Sequence, residues 1–225
     1  MDRLGDVTAA ASGVDVVLIA TPDRAIADVA STITPGPAVV LHCSGATGLG
    51  PVSGHDRHGS IHPLMALPSP EIGAARLADT GWFAVAGDPV AIELVDVLGG
   101  QSFFVADGKR ALYHATAVVS ANHVVALLGQ VERLASQVGV PVQAFLDMAQ
   151  DSLDDVSAHG AARALTGPAA RGDHTTLAAH REALPPSEVA LYDSLVEASQ
   201  RLANAHLGPD PSCTPADEID NEGTT

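Results

Sequence analysis

Residues 14 to 23, Val-Asp-Val-Val-Leu-Ile-Ala-Thr-Pro-Asp, constrain the fold more than any other stretch of the chain. A β-branched run that closes in a Thr-Pro-Asp turn is the pattern of a parallel strand buried on both faces. Doubly wound sheets carry such strands after a Gly-x-Gly-x-x-Gly turn, followed about 20 residues later by an acidic residue. Only thirteen residues precede Val14, whereas a β-α-β unit carrying that turn takes about 30. The sequence therefore predicts a partial parallel sheet that lacks the turn used to hold a dinucleotide's pyrophosphate.

Further strands are expected at Ala38 to Cys43, His58 to His62, Trp82 to Ala86 and Ser102 to Val105, with helices at Thr21 to Thr32 and Pro89 to Leu98. Alternation of this kind implies a mainly parallel α/β sheet over residues 1–107. Beyond Asp107 no strand-like run remains. A long helix is expected from Lys109 to Gln137, ended by Gly139 and Pro141, then helices at Val142 to about Ala158 and Thr175 to Ala183, and a last one capped by Ser187. The second half, 108–207, is thus all-helical. The last sixteen residues, Asp210 to Thr225, hold five acids and no base, so 208–225 reads as an acidic, solvated tail.

A formal charge of −16 with eleven scattered basic residues argues against nucleic acid, because phosphate binding needs clustered Lys and Arg. Cys43 and Cys213 lie in such different contexts that a disulfide framework is not expected, and no secretory leader pattern opens the sequence; both point to the cytoplasm. Ala111 to Val131 contains no charged residue, long enough to span a bilayer. His114, Ser120, Asn122, His123 and Gln130 interrupt it, and polar groups at bilayer depth are costly, so burial in protein is the expectation. Aromatics are only 3% of the chain, and the apolar residues of this helix run around more than one face. A second copy of the chain is expected to cover part of it.

Gly45-Ala46-Thr47-Gly48-Leu49-Gly50 has the wrong glycine order for a phosphate loop and reads as a turn followed by one helical turn. Among ten histidines no pair has helical i, i+4 ligand spacing, and His58 and His62 in a strand stand about 13 Å apart, which leaves no basis for a metal. Ser44 and Gly45 follow one strand and His62-Pro63 closes another, at the carboxyl edge where open sheets bind ligands. On the long helix Lys109, His114 and Asn122 are the polar residues of interest, the last two about 80° apart around an ideal axis. Leu165 to Asp173 makes a compact loop holding Arg171 and Asp173, for which helix capping by Asp173 is the purely structural explanation.

Taken together, Ala20 to Asp23, His42 to Gly45, Gly59 to Leu64, Tyr113-His114-Ala115 with Asn122, and Leu165 to Pro168 with Arg171 to Asp173 resemble a bacterial family pairing a Rossmann-like domain with a DUF2520 domain. That family is similar to the β-hydroxyacid dehydrogenase, pyrroline-carboxylate reductase and ketopantoate reductase group, whose helical second domain resembles that of 6-phosphogluconate dehydrogenase. The resemblance implies NAD(P) binding, hydride transfer at a carbonyl or imine, and a homodimer formed through the helical domain. The mechanism expected here has Thr21, Asp23, Ser44 and Gly45 contact the cofactor, His114 or Lys109 donate the proton with Asn122 orienting the carbonyl, and His62, Arg171 and Asp173 bind a small carboxylate-bearing substrate. Two departures stand out: the Gly-rich first unit is not present, and Tyr113 stands four residues after Lys109 where hydroxyacid dehydrogenases carry Asn. Binding of NAD(P) by this chain is accordingly expected to be weak. A non-catalytic dimeric ligand-binding or scaffolding protein on a degenerate version of the fold is the alternative.

Overall fold

The computed structural model describes residues 7–79 and 81–206, so the acidic tail and Cys213 lie outside the described residues. Contacts divide the chain into two compact units, 1–126 and 127–225.

The first unit is a five-stranded sheet in sequence order: β1 (Val16–Ile19), β2 (Val39–His42), β3 (His58–Pro63), β4 (Trp82–Gly87) and β5 (Gln101–Phe104). β1, β2 and β3 run parallel, β3 and β4 pair antiparallel, and β4 and β5 are parallel again. Three of four pairings match the mainly parallel sheet expected. β2 is buried along its whole length, as its Val-Val-Leu-His sequence demands. Val40 turns to one face, packing with Ile19 and with Ile26 and Ala30 of α1 (Ile26–Thr32). Val39 and Leu41 turn to the other, against Ile61, Phe83 and Val85. Each such fully buried side chain contributes about 1.5–3 kcal/mol of transfer free energy. α2 (Pro70–Ala78), capped by the Ser69 hydroxyl, was not anticipated, while α3 (Val90–Val97) sets Ala91 and Val95 into the second core layer. The antiparallel step is permitted by glycine: a Cβ on Gly59 would fall 2.5 Å from the Ala86 carbonyl oxygen, and Gly87, its partner, holds φ +85°.

From Asp107 to Val138 the chain is one long helix. It comprises a 3-10 turn (Asp107–Lys109), α4 (Arg110–Val118), a π turn (Val119–His123) and α5 (Val124–Val138). The break between units falls inside α5, not near residue 107. The reason is that Arg110 and Tyr113 are bonded to the strand ends, which ties the start of the helix to the sheet. By length and composition this is the one helix among the described residues that could cross a membrane. Of its residues only Arg110, Gln130 and Ala135 are buried, so within one chain the helix is far less covered than expected.

The second unit continues with α6 (Val142–His159), α7 (Ala161–Ala164), α8 (Pro168–Arg171), α9 (His174–Ala183) and α10 (Pro186–His206). α10 begins before Ser187, so Ser187 lies inside the helix instead of capping it. Glu188 joins α10 to α5: its carboxylate receives both Nε and Nη2 of Arg133 at 2.7 and 2.9 Å, and its carbonyl accepts from Gln130.

Candidate functional site

The carboxyl ends of β1, β2 and β3 carry Thr21-Pro22-Asp23, Cys43-Ser44-Gly45 and His62-Pro63. Ser44 Oγ donates to Asp23 Oδ2 at 2.7 Å, lies 2.9 Å from Thr47 Oγ1 and accepts from the Thr47 amide. Thr21 Oγ1 is buried without a hydrogen-bond partner, an orphan that native structures usually satisfy with a ligand or water. His42, fully buried beneath, has a fixed tautomer. Its Nδ1 accepts from the Ser44 amide, so the proton sits on Nε2, which donates to the Gly48 carbonyl. Burial lowers its pKa and keeps the ring neutral.

Arg110, only 1% exposed, reaches under these strand ends. It donates from Nη1 to the Ser44 carbonyl at 3.3 Å and from Nη2 to Ser60 Oγ. Its charge is opposed by Asp107, whose carboxylate lies 3.5 Å from Nε and also accepts from the Leu49 amide. Gly48 packs so closely on Asp107 that a Cβ there would be 2.8 Å from its Oδ2. The glycine-rich turn thus grips a carboxylate of its own chain.

His62 is held on three sides. Its Nδ1 lies 2.7 Å from the Tyr113 hydroxyl, the His114 ring stands edge-on at 6.3 Å, and Gly45 covers one ring face. A Cβ on Gly45 would fall 2.8 Å from Cε1 and Nε2 and 3.0 Å from Nδ1, so only glycine allows this approach. Burial first, then the charges of His114 and Arg110, push the His62 pKa down to about 4.

His62 opens onto a cavity of about 190 Å3, whose polar wall is completed by His114, Ser120 and Asn122 and whose apolar wall includes Leu64, Met65 and Val118. Asn122 lies inside the π turn. π turns widen a helix by one residue and recur at functional sites.

The structure brings His62, His114 and Asn122 to one cavity, and Thr21, Asp23, Ser44 and Gly45 to the adjoining strand ends. Lys109 is exposed and does not line the cavity; the buried cation is its neighbour Arg110. Arg171 and Asp173 belong to the second unit. Both oxygens of Asp173 are engaged by Thr176 at the start of α9, an N-cap, while Arg171 is exposed at the end of α8. Sequence reasoning gives no role to Arg110 or Asp107, and Tyr113 enters it only through the Tyr113-His114-Ala115 motif and its position four residues after Lys109. The one available signal was an arginine directly before a long charge-free helix. Among the described residues no group of three His, Cys, Asp or Glu could hold a metal.

The sequence profile of the domain of unknown function DUF2520 matches residues 82–199, just over half of the chain. The chain belongs to the DUF2520 family. No curated protein matches its sequence significantly. Among solved structures, this DUF2520 protein is similar to a protein from Thermotoga maritima, at 24% identity and a TM-score of 0.72, over 92% of this chain and 82% of that one. A Bacteroides fragilis protein, assigned provisionally as an NADP oxidoreductase, matches with 18% identity and a TM-score of 0.71, over 88% and 80% of the two chains. Pyrroline carboxylate reductase from Plasmodium falciparum, solved with NADP bound, matches with 10% identity and a TM-score of 0.56, over 89% and 81%. These likenesses establish the fold, a Rossmann-like sheet followed by helices, which the DUF2520 chain shares with NADP-linked reductases.

Proposed function

We propose that the protein is an NAD(P)-dependent reductase of a small carbonyl or imine compound, with its chemistry at the His62, His114 and Asn122 cavity. The observation that carries this reading is the placement of two imidazoles and an amide on a partly apolar cavity at the carboxyl ends of parallel strands, where ligands of open α/β sheets bind. The donor set beside it suits the nicotinamide and ribose end of a dinucleotide. Thr21 Oγ1 is unsatisfied, Asp23 and Ser44 offer acceptors and a hydroxyl, and Gly45 leaves room for close approach. No Gly-x-Gly-x-x-Gly turn occurs in the sequence to hold the pyrophosphate.

The bound cofactor would supply hydride. The chain's own contribution is to orient and protonate: Asn122 directs an amide at the carbonyl or imine, and an imidazole of the cavity wall provides the proton.

Consumption of NADPH with a panel of small ketones, keto acids and cyclic imines tests the reading. The expected result is turnover with at least one, lost in His62→Ala, together with NADPH binding weaker than micromolar by calorimetry. Absence of turnover across the panel would favour the non-catalytic ligand-binding alternative, and micromolar NADPH affinity would overturn the expectation of a weakened cofactor site.

A further inference from the structure

Resting on the reductase reading, we propose that Tyr113 acts as a positioning residue that feeds the proton to substrate through His62, with the buried Arg110 stabilising the phenolate left behind. The first support is the arrangement of the His62 ring. Its Nδ1 is taken by the Tyr113 hydroxyl at 2.7 Å, its face rests on Gly45, and the ring lines the cavity that Tyr113 does not line. Among the described residues Nε2 makes no hydrogen bond, so it is the ring position left for a substrate.

The second support is the charge behind the tyrosine. Arg110 spends its two terminal nitrogens on neutral oxygens, the Ser44 carbonyl and the Ser60 hydroxyl, and its Nε is buried without a hydrogen bond. Asp107, 3.5 Å away, is half-exposed and shared with the Leu49 amide, so the buried cation is incompletely offset. A buried positive charge with that environment favours a neutral His62 and opposes the rise that burial imposes on the Tyr113 hydroxyl pKa. The other charged or titratable groups felt by His62 are His114 and Asp23.

The step balances. As hydride adds to the carbonyl or imine carbon, the π pair moves onto oxygen or nitrogen and takes the proton from His62 Nε2. The N–H pair returns to the ring, Nδ1 takes the proton from Tyr113, and the O–H pair remains on the phenolate, one helical turn from Arg110 on α4, until Tyr113 retakes the Nδ1 proton as water protonates Nε2. His114 lines the same cavity, its ring centre 6.3 Å from that of His62.

Two measurements on the full chain decide the matter. Imidazole nitrogen shifts should show His62 as the Nε2–H tautomer; an Nδ1–H tautomer would mean that His62 donates to Tyr113 and would overturn the relay without reference to activity. In Tyr113→Phe, kcat should fall about 100-fold with KM little changed, and the solvent-deuterium effect should drop from a two-proton to a one-proton dependence. A variant that keeps full turnover and the wild-type solvent effect overturns the relay alone. A wild-type protein inert across the whole panel overturns the reductase reading and the catalytic role of the relay together.

Discussion

The two units of the chain solve the problem of burial in opposite ways. The sheet unit hides polar as well as apolar groups: His42, Ser44, Ser60 and Arg110 are buried beside Val39, Val40 and Leu41. In the described part of the helical unit only Gln130, Ala135 and Glu188 are buried, while Val138, Met148 and Leu153 stand more than half exposed. Polar groups are buried at a cost that only a complete set of partners offsets. The sheet unit therefore spends stability on its site, whereas the helical unit has apolar surface still to cover.

The sharpest way to break this contrast is Arg110→Met. Losing the guanidinium strands the Ser44 carbonyl and the Ser60 hydroxyl, and chemical denaturation should show a loss of about 3 kcal/mol confined to the sheet unit. A smaller loss would mean that the cation is dispensable to the fold. On the helical side, Met148→Asp with Leu153→Asp should raise the dimer dissociation constant about 100-fold, read by sedimentation, if a second copy covers these residues. A wild type that stays monomeric at high micromolar concentration counts against that cover. Gly45→Ala is subtler: the added methyl must push the His62 ring aside, for about 1–2 kcal/mol of stability and a loss of about tenfold in turnover.

The smallest effect concerns pH. His62 titrates at about 4 in the folded chain against an ordinary 6.5, and the buried His42 is lowered in the same direction. Between these values the unfolded chain binds more protons, so stability is full above pH 6.5 and falls as pH drops towards 4. Solvent at the cavity screens the His62 contribution, leaving about 1 kcal/mol. His62→Gln should flatten that part of the profile.

β1 and β2 are legible as β-branched runs bounded by turn residues, β2 at Val39–His42 within the expected 38–43, and β3, β4 and β5 as short runs between turn residues in an alternating pattern. The antiparallel pairing of β3 with β4 is not legible in the sequence, since strand direction is set by the connection that includes α2, whose capped start at Ser69-Pro70-Glu71 is its only local signal. In the site, His62, His114 and Asn122 were visible as polar residues in apolar surroundings. Lys109 and Arg110 are indistinguishable in the sequence because one residue of helical phase, about 100° of rotation, separates the buried cation from the exposed one, and no local pattern reports which of the two the sheet receives.

The π turn at Val119–His123 carries a consequence for how this lineage can change. Such a turn holds one residue more than a regular helix needs, so deleting a single residue from it would leave an unbroken α-helix with little penalty to folding. The same deletion would swing Asn122 away from the direction of His114. A one-codon loss could thus silence or redirect the cavity while sparing the scaffold, which makes this window a place where activity and foldability are inherited separately.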